Sequence, residues 1–310
     1  MKNNFKDIVM KYKALLGFLV LCVVMAILSP RFLTVPNIKN VLTQVSVNAI
    51  IAIGMTFVIL TGGIDLSVGS ILAITGAVAA NLIKSSNNMF LAIVIALIIG
   101  GAIGLINGIV VAKGKVQAFI VTLATMTIFR GLTLVYTDGT PISGLSDKFM
   151  NIGNMRIAGY IPVPAIITVI VFLVACYLLN QTRYGRYVYA IGGNEDSARL
   201  SGINTDRVKI LVYVLCGVAA ALSGVITTSR VGSASPNAGT GFELDAIAAV
   251  VLGGTSLAGG EGTIVGTIIG AMIIGVLNNG LNLVGVSAYY QLIVKGLVIL
   301  LAILLDKKSK

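Results

Sequence analysis

Ten apolar runs succeed one another along this chain, at residues 14–28, 41–61, 68–83, 89–112, 118–136, 163–180, 210–229, 245–259, 262–283 and 287–305. A bilayer core about 30 Å thick takes about 20 helical residues to cross. Inside it the backbone must satisfy its own polar groups, which a helix does within one segment. The runs therefore predict an all-α, polytopic helical membrane protein of about ten transmembrane helices. Ten spans use roughly 200 residues, so residues 1–310 are expected to form one transmembrane domain with short tails and loops. Runs 68–83 and 245–259 are short and Gly-rich, and the count rests on them least.

Composition agrees. The chain is 57% hydrophobic and 11% charged, with a mean hydropathy of +1.00. Soluble domains run near 45–50% and about 25%, which excludes a cytosolic enzyme and a disordered protein. The first run, preceded by lysines, has the outline of a signal peptide. No small-x-small cleavage site follows it and many more runs do, so a retained span is expected.

The net charge is +11. Nucleic-acid binding is one source of such an excess; Lys/Arg-rich cytoplasmic loops are the other, and the preferred one. With both termini placed inside, fourteen of the 22 basic residues fall on the cytoplasmic side and six outside. The inner set comprises Lys2, Lys6, Lys11 and Lys13, then Lys113 and Lys115, five residues within 181–209, and Lys307, Lys308 and Lys310. No nucleic-acid partner is expected. Two connections are long: the outer loop 137–162 and the cytoplasmic segment 181–209. A shorter outer segment, 230–244, is polar and Gly-rich.

Little in the chain suits catalysis. It has no His, and its three cysteines (Cys22, Cys176, Cys216) lie in apolar runs without metal-type spacing. Neither a metal site nor a bound cofactor is expected. Glycines recur at four-residue spacing in Gly100, Gly104 and Gly108 and in Gly266 and Gly270. Such spacing lets helices approach closely, either within one subunit, the preferred reading, or at a seam between copies.

Asp65 sits in Thr61–Ser70 (TGGIDLSVGS), between two runs and flanked by glycines. It suits a cap on the following helix. The segment, with Gly62, Gly63, Ser67, Gly69 and Ser70, also suits a gate or the lining of a solute path; the two readings are compatible. Residues 253–260 repeat its G-G-x-x-L-small-x-G pattern, as transporters with paired broken helices do. Asn48, Asn278 and Asn279 are polar residues within runs, fit for a neutral hydroxylated solute or for interhelical bonds. Arg130 and Lys295 lie about 9 Å inside the outer ends of their runs. They are expected to snorkel outward, or else to pair with Glu243 or Asp245. Tyr184, Tyr187, Tyr189, Tyr289 and Tyr290 suit interfacial anchoring.

The cytoplasmic segment is the most defined. Asn194 suits an N-cap, Glu195 and Asp196 the positive end of a helix, and Gly202 its C′ stop. Residues 195–201 are therefore expected to form a short helix capped at both ends, with Asn204 or Thr205 capping the next span. Gly192, Ala198, Arg199 and Leu200 belong to the same unit. A plain connector needs no such helix, and a docking knob for a cytoplasmic partner is the preferred reading.

Thr61–Ser70, Gly192–Ile203 (GGNEDSARLSGI) and Leu244–Gly260 (LDAIAAVVLGGTSLAGG) together resemble the permease subunits of bacterial ABC sugar importers, a family with ribose, xylose, arabinose, galactose and autoinducer-2 systems. The resemblance runs from about Leu28 to Leu305. Val116–Ala118 and Gly275–Tyr290 lean it towards the ribose systems. It implies the ABC importer permease fold in the bacterial inner membrane, and a second copy of the chain around a central path. It also implies a cytoplasmic ATPase with two nucleotide-binding halves and a periplasmic or lipoprotein sugar-binding protein. The capped helix falls where such permeases place their coupling helix. No G-x-x-x-x-G-K-[ST] loop occurs in the chain, so ATP and Mg belong to the partner. The alternative is a self-sufficient, ion-coupled sugar carrier. An intramembrane enzyme would need a His or paired acids that the runs lack.

Overall fold

The computed structural model describes residues 13–308. Lys2, Lys6, Lys11 and Lys310, on which part of the charge asymmetry rests, lie outside the described residues. Ten helices follow the ten apolar runs: α1 (Lys13–Leu28), α2 (Val35–Leu60), α3 (Val68–Ser86), α4 (Met89–Ala112), α5 (Ala118–Tyr136), α7 (Val163–Gln181), α10 (Thr205–Val231), α11 (Phe242–Leu252), α12 (Ile264–Leu283) and α13 (Ala288–Lys308). Three more lie in the connections: α6 (Asp147–Asn154), α8 (Arg183–Gly193) and α9 (Glu195–Leu200). The only strands among the described residues are dipeptides, β1 (Ile142–Ser143), β2 (Arg156–Ile157), β3 (Ile161–Pro162) and β4 (Ser233–Ala234).

Among the described residues, seven helices are long and apolar enough to cross a membrane: α2, α3, α4, α5, α7, α10 and α12. The count of ten expected from the runs is thus not met by length and composition alone. The clearest departure is the run 245–259. It forms only the 11-residue α11, about 16 Å long at 1.5 Å per residue, roughly half the hydrocarbon thickness. Gly254, Gly259 and Gly260 carry φ of +88°, +89° and +77°, a left-handed backbone that ends the helix.

The centre of the molecule is α2, buried almost continuously from Val45 to Leu60. α10 packs against it and against α4. Close approach depends on glycine: a Cβ at Gly100 would meet the Gly217 carbonyl and Ala221, and one at Gly108 would lie 2.7 Å from Ile210 Cα. Likewise Gly266 and Gly270 abut the backbone of Gly253 and Ala249. Both small-residue stripes therefore serve packing within the subunit, as preferred from their spacing.

Polar pairs join the helices where apolar contact gives no net drive in lipid. Asn37 and Asn279 exchange amide bonds of 3.0 and 2.9 Å between α2 and α12. Thr56 and Thr267 hydroxyls meet at 2.8 Å. The outer loop 137–162 is pinned down: β1 pairs with β4, and the Ser229 hydroxyl donates to Phe149 O at 2.5 Å while accepting the Gly153 N–H at 2.7 Å.

Candidate functional site

The turn 61–67 interrupts the chain between α2 and α3 and holds the one fully enclosed acid among the described residues. Asp65 is 0% exposed. Its Oδ1 accepts the Ser67 N–H at 2.9 Å and the Ser67 hydroxyl at 2.5 Å. Asn107 of α4 donates to Ser67 Oγ at 2.9 Å, and Thr125 of α5 donates to Asn107 Oδ1 at 2.7 Å. One buried chain of hydrogen bonds thus ties the turn to α4 and α5. Asp65 does not occupy the cap position expected for it: Ser67 is the N-cap residue of α3, and Asp65 closes the turn two residues earlier. Asp65 Oδ2 makes no hydrogen bond. Tyr213 and the Cys216 thiol, both from α10, are its polar neighbours, the thiol lying against the carboxyl without full hydrogen-bond geometry. Sequence order gave no sign of these two.

The two segments sharing the G-G-x-x-L-small-x-G pattern meet in space. Gly260 N–H donates to Leu60 O at 3.0 Å, and a Cβ at Gly259 would lie 2.9 Å from Gly62 N. Gly192, at the end of α8, inserts between them; a Cβ there would overlap Leu60 O and Gly260 N. The end of α2, the loop after α11 and the segment leading to α9 therefore converge backbone to backbone. On the opposite side of the turn, Gly69 abuts Gly239 O and Glu243 Oε2. Ser70 donates to Ser67 O at 2.8 Å, within the first turn of α3.

At the other end of α11, Arg130 and Lys295 do not snorkel. Arg130 Nη1 donates to Pro236 O and Ala238 O at 2.7 and 2.9 Å, holding the segment that precedes α11 by its carbonyls. Lys295 Nζ pairs with Asp245 Oδ2 at 3.0 Å, where the Asp245 side chain is only 4% exposed. Asn278 Nδ2 reaches the same oxygen at 3.4 Å. Removing one partner of such a pair strands a buried charge, at a cost of about 3–5 kcal/mol. Lys295→Ala is therefore expected to lower the melting temperature of the purified protein markedly. The double variant Lys295→Ala/Asp245→Asn should recover most of that loss, and additive effects of the two changes would show that the pair is not coupled.

Of the three asparagines singled out from the sequence, Asn279 is committed to Asn37, while Asn48 and Asn278 are half-buried. Tyr184 and Tyr189 are half-buried and held by contacts within the protein. Tyr184 stacks on Phe57 with centroids 6.4 Å apart, and Tyr189 donates to Gly262 O at 2.7 Å. Tyr289 and Tyr290 are exposed.

The helix α9 forms as its caps require. Asn194 Oδ1 accepts the Ser197 N–H at 2.8 Å. Gly202, at φ +83°, donates to Arg199 O at 3.0 Å, and Ile203 N–H donates to Ala198 O at 3.1 Å, the paired bonds of a Schellman stop. Asn204 caps α10 by accepting the Arg207 N–H at 3.1 Å. Glu195 is gripped by Arg199 at 3.2 Å and by Lys209 of α10 at 2.9 Å, which braces α9 against the bundle. Asp196 stands in its first turn. Within that unit Ala198 faces the bundle and not a partner. It is 4% exposed and packs into the core, whereas Leu200 is 90% exposed and is the apolar tip.

These features, a helical bundle with two glycine-broken segments meeting at the root of a braced external knob, define a membrane permease rather than an enzyme. Over residues 37–303 the chain matches the family described as the permease component of the branched-chain amino acid transport system, and it belongs to that permease family. It is 58% identical over 305 residues to the ribose import permease protein RbsC of Escherichia coli strain K12, covering 97% of this chain and 95% of the relative. The corresponding protein of Bacillus subtilis strain 168 is 57% identical over 308 residues, with 99% and 95% covered. The D-allose transport system permease protein of Escherichia coli strain K12 is 46% identical over 295 residues, with 94% and 90% covered. No solved structure matches the chain. The chain is thus a multi-pass inner-membrane protein, the permease subunit of an ABC-type sugar importer, and a non-catalytic one.

Proposed function

We propose that this chain forms the translocation path of an ATP-driven importer for ribose, with two copies around the path. A separate ATPase with two nucleotide-binding halves works against α9, and a sugar-binding protein delivers the monosaccharide from outside. The observation that carries the ribose reading is the 57–58% identity, along almost the whole chain, to ribose import permeases from two bacteria. Ten crossings fit the ten helices, with α11 and its flanking glycine loops crossing as one broken span. Both termini are then cytoplasmic, on the same side as α9. Reporter fusions after Lys113 and at the C-terminus are expected to give a cytoplasmic signal, and fusions within 140–160 an external one. A periplasmic signal from the C-terminus would rule out the even count.

Coupling is assigned to Gly192, Asn194, Glu195, Asp196, Ala198, Arg199, Leu200 and Gly202: the exposed tip engages the ATPase, and the caps, ion pairs and inward Ala198 keep the knob rigid. Gate or path lining is assigned to the 61–70 turn and to Asn48, Asn278 and Asn279. The two broken segments meet at Gly192, so a shift of α9 reaches both at once. Proteoliposomes carrying the chain with its ATPase and binding protein should take up ribose in preference to other pentoses, and only with ATP. ATP-independent uptake by the chain alone would favour an ion-coupled carrier instead.

Asp65→Leu strands two buried Ser67 donors, each worth about 1–3 kcal/mol when unsatisfied. It is expected to depress uptake more than membrane expression, with Asp65→Asn milder because an acceptor remains. Uptake at the wild-type rate in the Leu variant would show that the turn requires no acceptor there.

A further inference from the structure

Between α1 and α7 lies a slot of about 360 Å³, with α2 and α12 as its floor. Phe18 and Cys22 line it from α1, Ala165 and Val169 from α7, and Val45 and Met272 from below. No side chain of the lining is charged, and its two hydroxyls are spent on backbone. Thr168 shares its hydroxyl between Pro164 O and Ser46 O at 2.9 and 3.2 Å, and Ser46 donates to Leu42 O at 2.6 Å. A polar occupant would be buried there without partners, which costs free energy, so the slot suits an apolar one.

Length and position narrow the choice. Along α2 the lining runs from Ile38 to Ala49, about 16 Å at 1.5 Å per residue. That is one leaflet of a hydrocarbon core about 30 Å thick. α2 ends at Leu60, beside Gly192 at the root of α9, so the Ile38 end lies away from α9. A helix of that length, about 10 Å across, fills roughly 1,200 Å³, more than the slot holds. A single acyl chain has the right length and surface.

The rim at the Ile38 end sets one kind of lipid apart, because chains alone give no preference where bulk lipid is equally apolar. Arg31 lies in the loop joining α1 to α2, next to Phe32 and Leu33 of the lining. It is exposed, and its guanidinium has no hydrogen bond or ion pair among the described residues. Lys39 follows Ile38. Its Nζ donates to Gly159 O at 2.8 Å and stands 4.7 Å over the Tyr160 ring, which fixes the β2–β3 hairpin at the rim. That hairpin carries Arg156. Three of the six basic residues counted outside thus gather here, and neither 29–46 nor 155–162 contains an acid. Such a patch attracts an anionic headgroup, with the exposed Tyr160 at headgroup level.

We propose that the slot between α1 and α7 holds one acyl chain of an anionic phospholipid from the leaflet away from α9, with its phosphate at Arg31 and Lys39. The chain wedges α1, which otherwise rests on α12 through Met25 and Phe32, against α7.

The protein has no Trp, so Val169→Trp, at 54% exposure on the open edge of the slot, supplies a single fluorescent reporter. The full-length chain is placed in phosphatidylcholine nanodiscs with a minor, varied share of chain-brominated phosphatidylglycerol or, in parallel, of chain-brominated phosphatidylcholine. Bromine quenches indole on contact. Phosphatidylglycerol is expected to be favoured about tenfold or more, and Arg31→Gln to lose about fivefold of that preference, the worth of one basic group at the membrane surface. Equal quenching by the two lipids, or an unchanged preference in Arg31→Gln, overturns the site. Quenching by neither shows the slot covered by protein, such as a second copy, and overturns it too. Native mass spectrometry of the chain without the Trp, released from mixed-lipid nanodiscs, is the second readout. One retained phosphatidylglycerol per chain, lost in Arg31→Gln, supports the site. Retention of both lipids in the proportion supplied, or of none, overturns it. Neither measurement uses sugar or ATP, so the result stands apart from the import reading.

Discussion

A Gly192→Val chain is expected to be recovered from membranes at a small fraction of the wild-type yield, and to elute as aggregate rather than as a single species. Valine places a Cβ and two methyls where the Leu60 carbonyl oxygen and the Gly260 amide nitrogen already stand. Both are backbone atoms, the acceptor and the donor of the Gly260–Leu60 hydrogen bond of 3.0 Å, so neither can swing away as a side chain would. Overpacking of this kind costs about 1–3 kcal/mol where side chains can yield, and more where only backbone can. The neighbouring Gly193 supplies the control. A Cβ there meets nothing within 4 Å, so Gly193→Ala should match the wild type in yield and elution profile. Equal behaviour of the two variants, read by size-exclusion chromatography of the detergent-solubilised protein, would show that the convergence at Gly192 is not required for assembly.

The contrast shows which parts of the molecule hydropathy reveals. The runs 89–112 and 118–136 coincide with α4 and α5, because each is bounded by polar residues that also end the helix. The run 41–61 misses the first turns of α2, which begins at Val35 with Pro36 inside its first turn. Asn37 and Lys39 lower the local hydropathy there, yet Asn37 is buried against Asn279. A polar residue satisfied by a partner 242 positions away is indistinguishable, in one dimension, from a solvated one. The run 245–259 fails in the opposite sense. Its glycines keep it apolar while their positive φ breaks the helix. The local parts of the candidate site were legible for the same reason as α4. The caps Asn194, Gly202 and Asn204 act within a few residues of themselves, and each behaves as its type dictates. The bond from Asn107 to Ser67, the approach of Tyr213 and Cys216 to Asp65, and the inward face of Ala198, arise only when separate helices pack. Six helical residues carry too little periodicity to show which face is buried.

That inward face decides how the knob should be tested. A bulky residue at Ala198 would disturb the core; the informative position is Leu200, 90% exposed at the tip. Leu200→Asp leaves untouched the Asn194 cap, the Gly202 stop and the Glu195 ion pairs, so α9 should keep its shape, and surface changes of this sort shift stability by less than about 0.5 kcal/mol. Membrane yield and melting temperature are therefore expected to stay at wild-type values. What changes is the surface offered to the ATPase. Burying a carboxylate in a protein interface without a partner costs several kcal/mol, and each 1.4 kcal/mol is tenfold in affinity. Co-purification of the ATPase should fall by about tenfold or more, with loss of ATP-dependent ribose uptake in proteoliposomes. Gly202→Val tests shape in place of chemistry. At φ +83° a branched residue is strained, so the Schellman stop should loosen, and coupling should weaken while the ATPase still binds in part. If Leu200→Asp retains the ATPase and transports at the wild-type rate, α9 is a brace between α8 and α10 and the partner docks elsewhere.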